Sequence, residues 1–184
     1  MSEQSKVPIK IRKNPQKYLG PSQVPAVLGY DSFMNADELR DRIENGHVKI
    51  YTSAQRCGIR KESGVIQQYQ NQTSDQVQKA HFIVDTNDCP RLGGIGDALV
   101  GTEGGLEVKC SGRSDVFMKY KIQAVCYMYL YHRRWWDIAV HNTGTEQTEY
   151  TRLYWVDFRD TWYNYWYPKI IEFCNETSWK KELR

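Results

Sequence analysis

The run from Gly96 to Cys110, Gly-Asp-Ala-Leu-Val-Gly-Thr-Glu-Gly-Gly-Leu-Glu-Val-Lys-Cys, constrains this chain more than any other stretch. It reads as two short strands joined by a tight turn, with Gly101, Gly104 and Gly105 supplying the turn because glycine takes positive φ without a Cβ clash. Leu106 to Cys110 alternates strictly. Side chains on a strand point to opposite faces with period two, so Leu106, Val108 and Cys110 face a core while Glu107 and Lys109 share the other face. Asp97 falls on the partner strand, across the hairpin from Glu107.

Two carboxylates beside a lysine suit metal-assisted hydrolysis. Asp97 and Glu107 are hard oxygen ligands of the kind that hold Mg²⁺ or Mn²⁺. Such an ion lowers the pKa of a bound water and offsets charge building on a phosphate, and a lysine orients the nucleophile. The competing reading is a hairpin with a solvated polar face, on which Glu107 and Lys109 form a surface pair worth ~0–1 kcal/mol.

At 184 residues the chain is long enough for one domain with a substantial core, and residues 1–17 read as a basic N-terminal arm of that single domain. A net charge of +3 identifies no partner by itself, but its distribution is uneven. Lys6, Lys10, Arg12, Lys13 and Lys17 face only Glu3 in the arm, and Arg113, Lys119 and Lys121 follow Lys109. Basic clusters flanking paired carboxylates suit a polyanion. Cys57, Cys89, Cys110, Cys126 and Cys174 are odd in number and form no CxxC pair, which argues for reduced thiols in an intracellular, cytosolic or nuclear protein. The histidines lack metal-ligand spacing. The chain has no apolar run of ~18 residues and opens on no signal peptide, so a membrane partner is not expected.

Along the chain, Gln23 to Leu28 reads as a short helix ending at Gly29. Asn35 and Glu38 form a capping-box pattern for a helix that Gly46 stops after Asn45. A further helix spans about Ala54 to Asn71 and places Ile59, Ile66 and Tyr69 on an apolar stripe, with Glu62 inside that stripe. A carboxylate aimed at a core costs several kcal/mol unless paired or metal-bound. Glu62 is therefore either half of an ion pair, with Arg56 or Lys109, or a third group at the Asp97 site. His81 to Val84 reads as a strand. A helix from Ser114 or Asp115 to His132 buries Ile122, Val125, Cys126, Tyr129 and Leu130, and brings Gln123 and Tyr127 onto a second face one turn apart. Trp136 to His141 and Tyr150 to Phe158 read as strands about the turn at Asn142–Thr145. The last helix starts near Asp160, aligns Trp162, Trp166, Ile170 and Phe173, and meets a kink at Pro168. The spacing of the tryptophans favours a core over a base-stacking platform.

The order helix–Glu, strand–Asp, strand–Glu-x-Lys, helix–Gln-x3-Tyr is similar to the PD-(D/E)xK nuclease superfamily. More narrowly it resembles the phage lambda exonuclease and YqaJ-type viral recombinase family, over about residues 18–175. Gly58-Ile59-Arg60-Lys61-Glu62 resembles that family's Gly-x3-Glu helix, Gly96-Asp97 and Glu107-Val108-Lys109 its core motif, and Gln123 to Tyr127 its Gln-x3-Tyr helix. Ser22, ahead of Val27-Leu28-Gly29-Tyr30, resembles its N-terminal phosphate-binding turn. Gly96 stands where the superfamily's name has proline, and Arg12, Lys13 and Lys17 are alternative counterparts of the arginine that grips a 5′ phosphate.

The resemblance implies an α/β restriction-endonuclease-like core, a mixed central sheet flanked by helices. It also implies a Mg²⁺- or Mn²⁺-dependent 5′→3′ exonuclease acting on double-stranded DNA ends. Asp97, Glu107 and the Val108 carbonyl would ligate metal, with Glu62 at a second ion or its waters. Lys109 would position the attacking water, and Gln123 and Tyr127 would steady the lysine or a phosphate. Ser22, Arg12, Lys17, Arg113, Lys119 and Lys121 would contact DNA. A viral recombination or repair role in the cytoplasm or nucleus of an infected cell follows, beside a single-strand annealing protein and as a possible homo-oligomer. The alternatives are an endonuclease on the same fold or a catalytically idle DNA-binding module.

Overall fold

The computed structural model describes residues 16–46, 53–112 and 117–179. Arg12, Arg113 and the expected helix start at Ser114 or Asp115 lie outside the described residues. The chain enters beside Leu92, bridged to it in parallel through Leu19, and forms α1 (Val24–Val27) and α2 (Ala36–Asn45). The capping box of α2 is complete. Glu38 N–H donates to Asn35 Oδ1 at 2.9 Å and Asn35 N–H donates to Glu38 Oε2 at 3.1 Å. Then come α3 (Ser53–Thr73), β1 (Val77–Lys79), β2 (Ile83–Val84), β3 (Gly93–Gly94), β4 (Ala98–Val100) and β5 (Gly104–Ser111). After α4 (Met118–Tyr131) follow β6 (Trp135–Asn142), β7 (Thr148–Tyr154) and α5 (Trp155–Thr161). A π-helical turn (Trp162–Trp166) leads into α6 (Tyr167–Glu176).

The central sheet runs in the order β1-β4-β5-β6-β7. Only β5 and β6 pair in parallel, and α4 is the crossover between them; every other pair is antiparallel. This is the mixed α/β sheet with flanking helices that the sequence implies. Each face of β6 is committed to a different helix. Trp136, Ile138 and Val140 join the larger core with Ile122, Val125 and Cys126 of α4. Ala139 packs instead with Val65 and Tyr69 of α3, together with Leu106 and Val108 of β5.

Because both faces are covered, the polar face expected for β5 is not solvated. Glu107 is 3% exposed. Gly104 and Gly105 likewise belong to the strand and not to the turn, where only Gly101 has positive φ, at 51°. Their reason is crowding: a Cβ at Gly104 would lie 2.2 Å from Trp135, and one at Gly105 2.2 Å from Trp136.

Other boundaries shift for similarly local reasons. Ile59 is exposed, and the buried stripe of α3 runs through Val65 and Tyr69 with Ile66 beside it. The His81–Val84 strand shrinks to β2, which pairs with β3 in a separate two-stranded sheet. Trp155 to Phe158 turn from strand to helix once β7 ends at Tyr154. Pro168 sits in the first turn of α6, and the irregularity expected of it lies immediately before, as the π turn that joins α5 to α6. Within α4 every residue from Ile122 to Tyr131 is buried, so the helix is enclosed and not merely striped. Trp136, Trp162 and Trp166 are core residues, as their spacing predicts.

Candidate active site

The site forms where β4 stops. The β4–β5 ladder ends at the pair Ala98–Leu106, and beyond it the Val108 N–H would have no strand partner on that edge. Asp97 turns out of line and takes it, with Oδ2 accepting from Val108 N–H at 2.6 Å. That bond fixes the first carboxylate and leaves its second oxygen for a cation. Glu107 points from β5 beneath α4, where Gln123 Nε2–H donates to Oε1 at 2.6 Å and Lys109 Nζ–H donates to the same oxygen at 2.5 Å. Glu107 Oε2 is buried and has no hydrogen-bond partner.

Tyr127, one turn after Gln123, donates its hydroxyl to the Ile95 carbonyl at 2.6 Å and so ties α4 to the segment leading into Asp97. Its ring stacks on Trp136, with centroids 5.3 Å apart.

The electrostatics show an excess of negative charge. Burial, then the neighbouring Asp97, pushes Glu107 up to about 8 against the pull of Lys109. Burial also raises Asp97, opposed by Lys109 and the Val108 N–H. Glu62 projects towards the same place from α3, and burial together with Asp97 raises it, with Lys109 again opposing. On Lys109 burial acts downward, but Glu107 and Asp97 outweigh it and the ammonium is held above its usual range. Three carboxylates thus share one lysine in a low-dielectric setting.

The donor set fits a hard divalent cation. The partnerless Glu107 oxygen supplies a ligand without a proton donor, and the raised carboxylates would all be relieved by positive charge. Among the described residues no three His, Cys, Asp or Glu side chains form a metal cage by themselves. Mg²⁺ needs none, since it is commonly held by one or two carboxylates and keeps several waters.

Lys119 lies among aromatic rings at the start of α4, 5.0 Å from the Phe33 centroid and 5.5 Å from that of Tyr120, while Lys109 is 5.4 Å from Tyr120. Lys121 is half-buried on the same helix and Lys17 exposed near the chain entry. Ser22 is exposed in the turn before α1, a helix of only four residues. That turn is nonetheless held near the site: Pro21 packs on Gly94, whose own Cβ would stand 3.7 Å from the Tyr127 ring. Lys61 and His141, which no chemical motif singled out, meet on the seam between α3 and β6. The only sequence signal for either is that Lys61 immediately precedes Glu62.

A mixed sheet with carboxylates at a broken hairpin and a lysine two residues along the strand is the arrangement that the sequence resemblance to PD-(D/E)xK nucleases leads one to expect. No family model matches the sequence, and no curated protein does. Solved structures share the architecture. The alkaline exonuclease of Laribacter hongkongensis superposes with a TM-score of 0.75 at 18% identity, covering 89% of each chain. Its complex with dAMP gives 0.74 at 20% identity over the same shares. A phage-related exonuclease from Haemophilus somnus 129PT gives 0.60 at 11% identity, covering 88% of this chain and 96% of the other. No described helix is long and apolar enough to cross a membrane.

Proposed function

We propose that the chain is a divalent-metal-dependent deoxyribonuclease, acting 5′→3′ from double-stranded DNA ends. The observation that carries this reading is the buried Glu107 carboxylate, one oxygen without a partner, in a cleft shared with Asp97 and Lys109. A structural ion pair would satisfy both oxygens, because an unpaired buried polar atom costs about 1–3 kcal/mol. Likeness in fold to the alkaline and phage-related exonucleases supports the choice of substrate class.

Asp97, Glu107 and the Val108 carbonyl would hold Mg²⁺ or Mn²⁺, with Glu62 facing the ion's waters or a second ion. Bound there, the metal would supply Lewis acidity and an activated water. Lys109 orients the attacking water and meets charge developing on the phosphoryl oxygens, its ammonium kept protonated by the carboxylates around it. Gln123 holds Glu107 by its Oε1, so the carboxylate cannot rotate away as the lysine shifts. Tyr127 keeps the Asp97 segment in place through Ile95. In the reaction the water oxygen bonds to phosphorus, the P–O3′ bond breaks and the leaving oxygen takes a proton from solvent.

The exposed Ser22 turn, Lys17, Lys119 and Lys121 would contact DNA, and the sequence resemblance adds Arg12 and Arg113, which lie outside the described residues. The sequence resemblance to the lambda exonuclease and YqaJ-type family supports a role in recombination or repair, beside a single-strand annealing protein.

The test is cleavage of end-labelled linear duplex in Mg²⁺, Ca²⁺ or EDTA by the wild type and Asp97→Asn. Mg²⁺ alone should support hydrolysis, since Ca²⁺ coordinates too loosely to place the water. The variant should lose more than about a hundredfold, as outer-shell partners alone are worth about 10–100-fold. Metal-independent cleavage, or a variant near wild type, would refute the reading.

A further inference from the structure

Two polar ties hold α3 against β6, one on each side of the apolar contact made by Val65. At the C-terminal side the Tyr69 hydroxyl donates to Asp137 Oδ2 at 2.6 Å, and Arg152 closes on both Asp137 oxygens at 2.8 and 2.9 Å. Asp137 is buried and fully partnered there, so this tie anchors the helix.

The tie at the other side is built differently. Lys61 Nζ–H donates to Glu146 Oε1 and Oε2 at 2.5 and 2.6 Å, and the same nitrogen lies 3.5 Å from His141 Nε2. His141 is buried, with Nε2 3.2 Å from Glu146 Oε2 and Nδ1 3.0 Å from Thr148 Oγ1. Thr148 in turn donates to Gln68 Oε1 of α3 at 3.3 Å. The turn between β6 and β7 holds Glu146 at φ 57°, a left-handed conformation that strains a non-glycine residue.

A Lys–Glu pair with its glutamate exposed contributes little to stability. It therefore does not repay a strained turn and a buried histidine through stability alone.

Such a tie can instead restrain rotation of the helix. Successive helical residues are about 100° apart around the axis, so gripping Lys61 fixes the direction of Glu62. The helix is close enough to β5 for this to matter: a Cβ at Gly58 would lie 3.6 Å from Cys110 Cβ, and Cys110 Sγ lies 3.9 Å from the Gly58 carbonyl. We infer that Lys61, clamped by Glu146 and His141, is a positioning residue that sets the reach of Glu62 into the metal cleft. The inference rests on the nuclease reading for the role of Glu62.

The test compares Lys61→Met, Glu146→Gln, Lys61→Arg, Glu62→Gln and the Lys61→Met/Glu62→Gln double variant. Mn²⁺ binding is titrated by calorimetry, hydrogen exchange is followed in the metal-free protein, and kcat and KM are measured on linear duplex. Lys61→Met and Glu146→Gln should each weaken Mn²⁺ binding about tenfold, within the range of outer-shell partners. They should lower kcat with KM for DNA unchanged. Amides from 58 to 64 should exchange faster while those around Tyr69 stay protected. Lys61→Arg should restore binding, since a guanidinium can also grip Glu146.

The double variant should bind Mn²⁺ no more weakly than Glu62→Gln alone, because a residue acting through Glu62 has nothing left to position. Equal weakening in both backgrounds, or unchanged Mn²⁺ affinity and exchange in Lys61→Met and Glu146→Gln, would overturn the clamp. Mn²⁺ binding that shows the coupling in a wild type unable to cleave DNA would support the clamp and sink the nuclease reading instead.

Discussion

Glu107 and Lys109 lie two residues apart on β5 and are joined at 2.5 Å, so they could be read as an ordinary ion pair. The unpartnered Glu107 oxygen and the upward shift of all three nearby carboxylates argue that stability is not what the pair provides. Breaking a buried pair by removing one member typically costs about 3–5 kcal/mol, whereas replacing both with well-fitting uncharged groups is often neutral or stabilising by about 1–4 kcal/mol. Glu107→Gln keeps an acceptor for Gln123, and Lys109→Met keeps the stem's volume. The double variant should therefore unfold in urea, with EDTA present, at a midpoint equal to or above that of the wild type, and should cleave no DNA. A double variant destabilised as much as either single would show that the pair holds the fold.

At the scale of elements, the tightest constraint is the contact of β5 with β6. Trp136 is pinned between Tyr127 and Tyr131, with centroids at 5.3 and 5.8 Å, and cannot retreat from a methyl group added beneath it. Gly105→Ala should accordingly cost about 1–3 kcal/mol, in the range of overpacked cores, read as a lower urea midpoint with an unchanged slope. A midpoint equal to wild type would mean that the tryptophan is freer than its packing indicates. The same contact explains what could be read in the sequence and what could not. Alternation placed Leu106 and Val108 in the core correctly, and the capping box of α2 was fully legible because both depend on neighbours a few residues apart. The role of Gly104 and Gly105 was not, since the rings that exclude a Cβ come from about thirty residues further along the chain. Glu62 stood out as a carboxylate in an apolar stripe, but the stripe itself was misplaced at Ile59. Nor did the sequence reading foresee α5, because Trp155 to Phe158 are β-prone residues that continue β7 along the chain, and only the end of the β6–β7 ladder frees them to coil. His141 and Glu146 meet Lys61 across 80 and 85 residues of chain, a separation no local pattern spans.

For the whole molecule, the crossover β5–α4–β6 carries Glu107, Lys109, Gln123 and Tyr127 on elements packed between two cores, while Glu62 comes from α3 and Asp97 from the segment leading into β4. The Ser22 turn packs through Pro21 on Gly94, beside Tyr127, and on the proposed reading it would seat the end of the DNA. A terminal phosphate, and not an internal one, would then be engaged. The direct measurement is release of acid-soluble nucleotides in Mg²⁺ from three substrates at one salt concentration: linear duplex with 5′ phosphates, the same duplex with 5′ hydroxyls, and closed circular duplex. The account predicts fastest release from phosphorylated ends, slower release from hydroxyl ends, and a circle that stays intact. Rapid nicking of the circle, or equal rates from all three substrates, would contradict it.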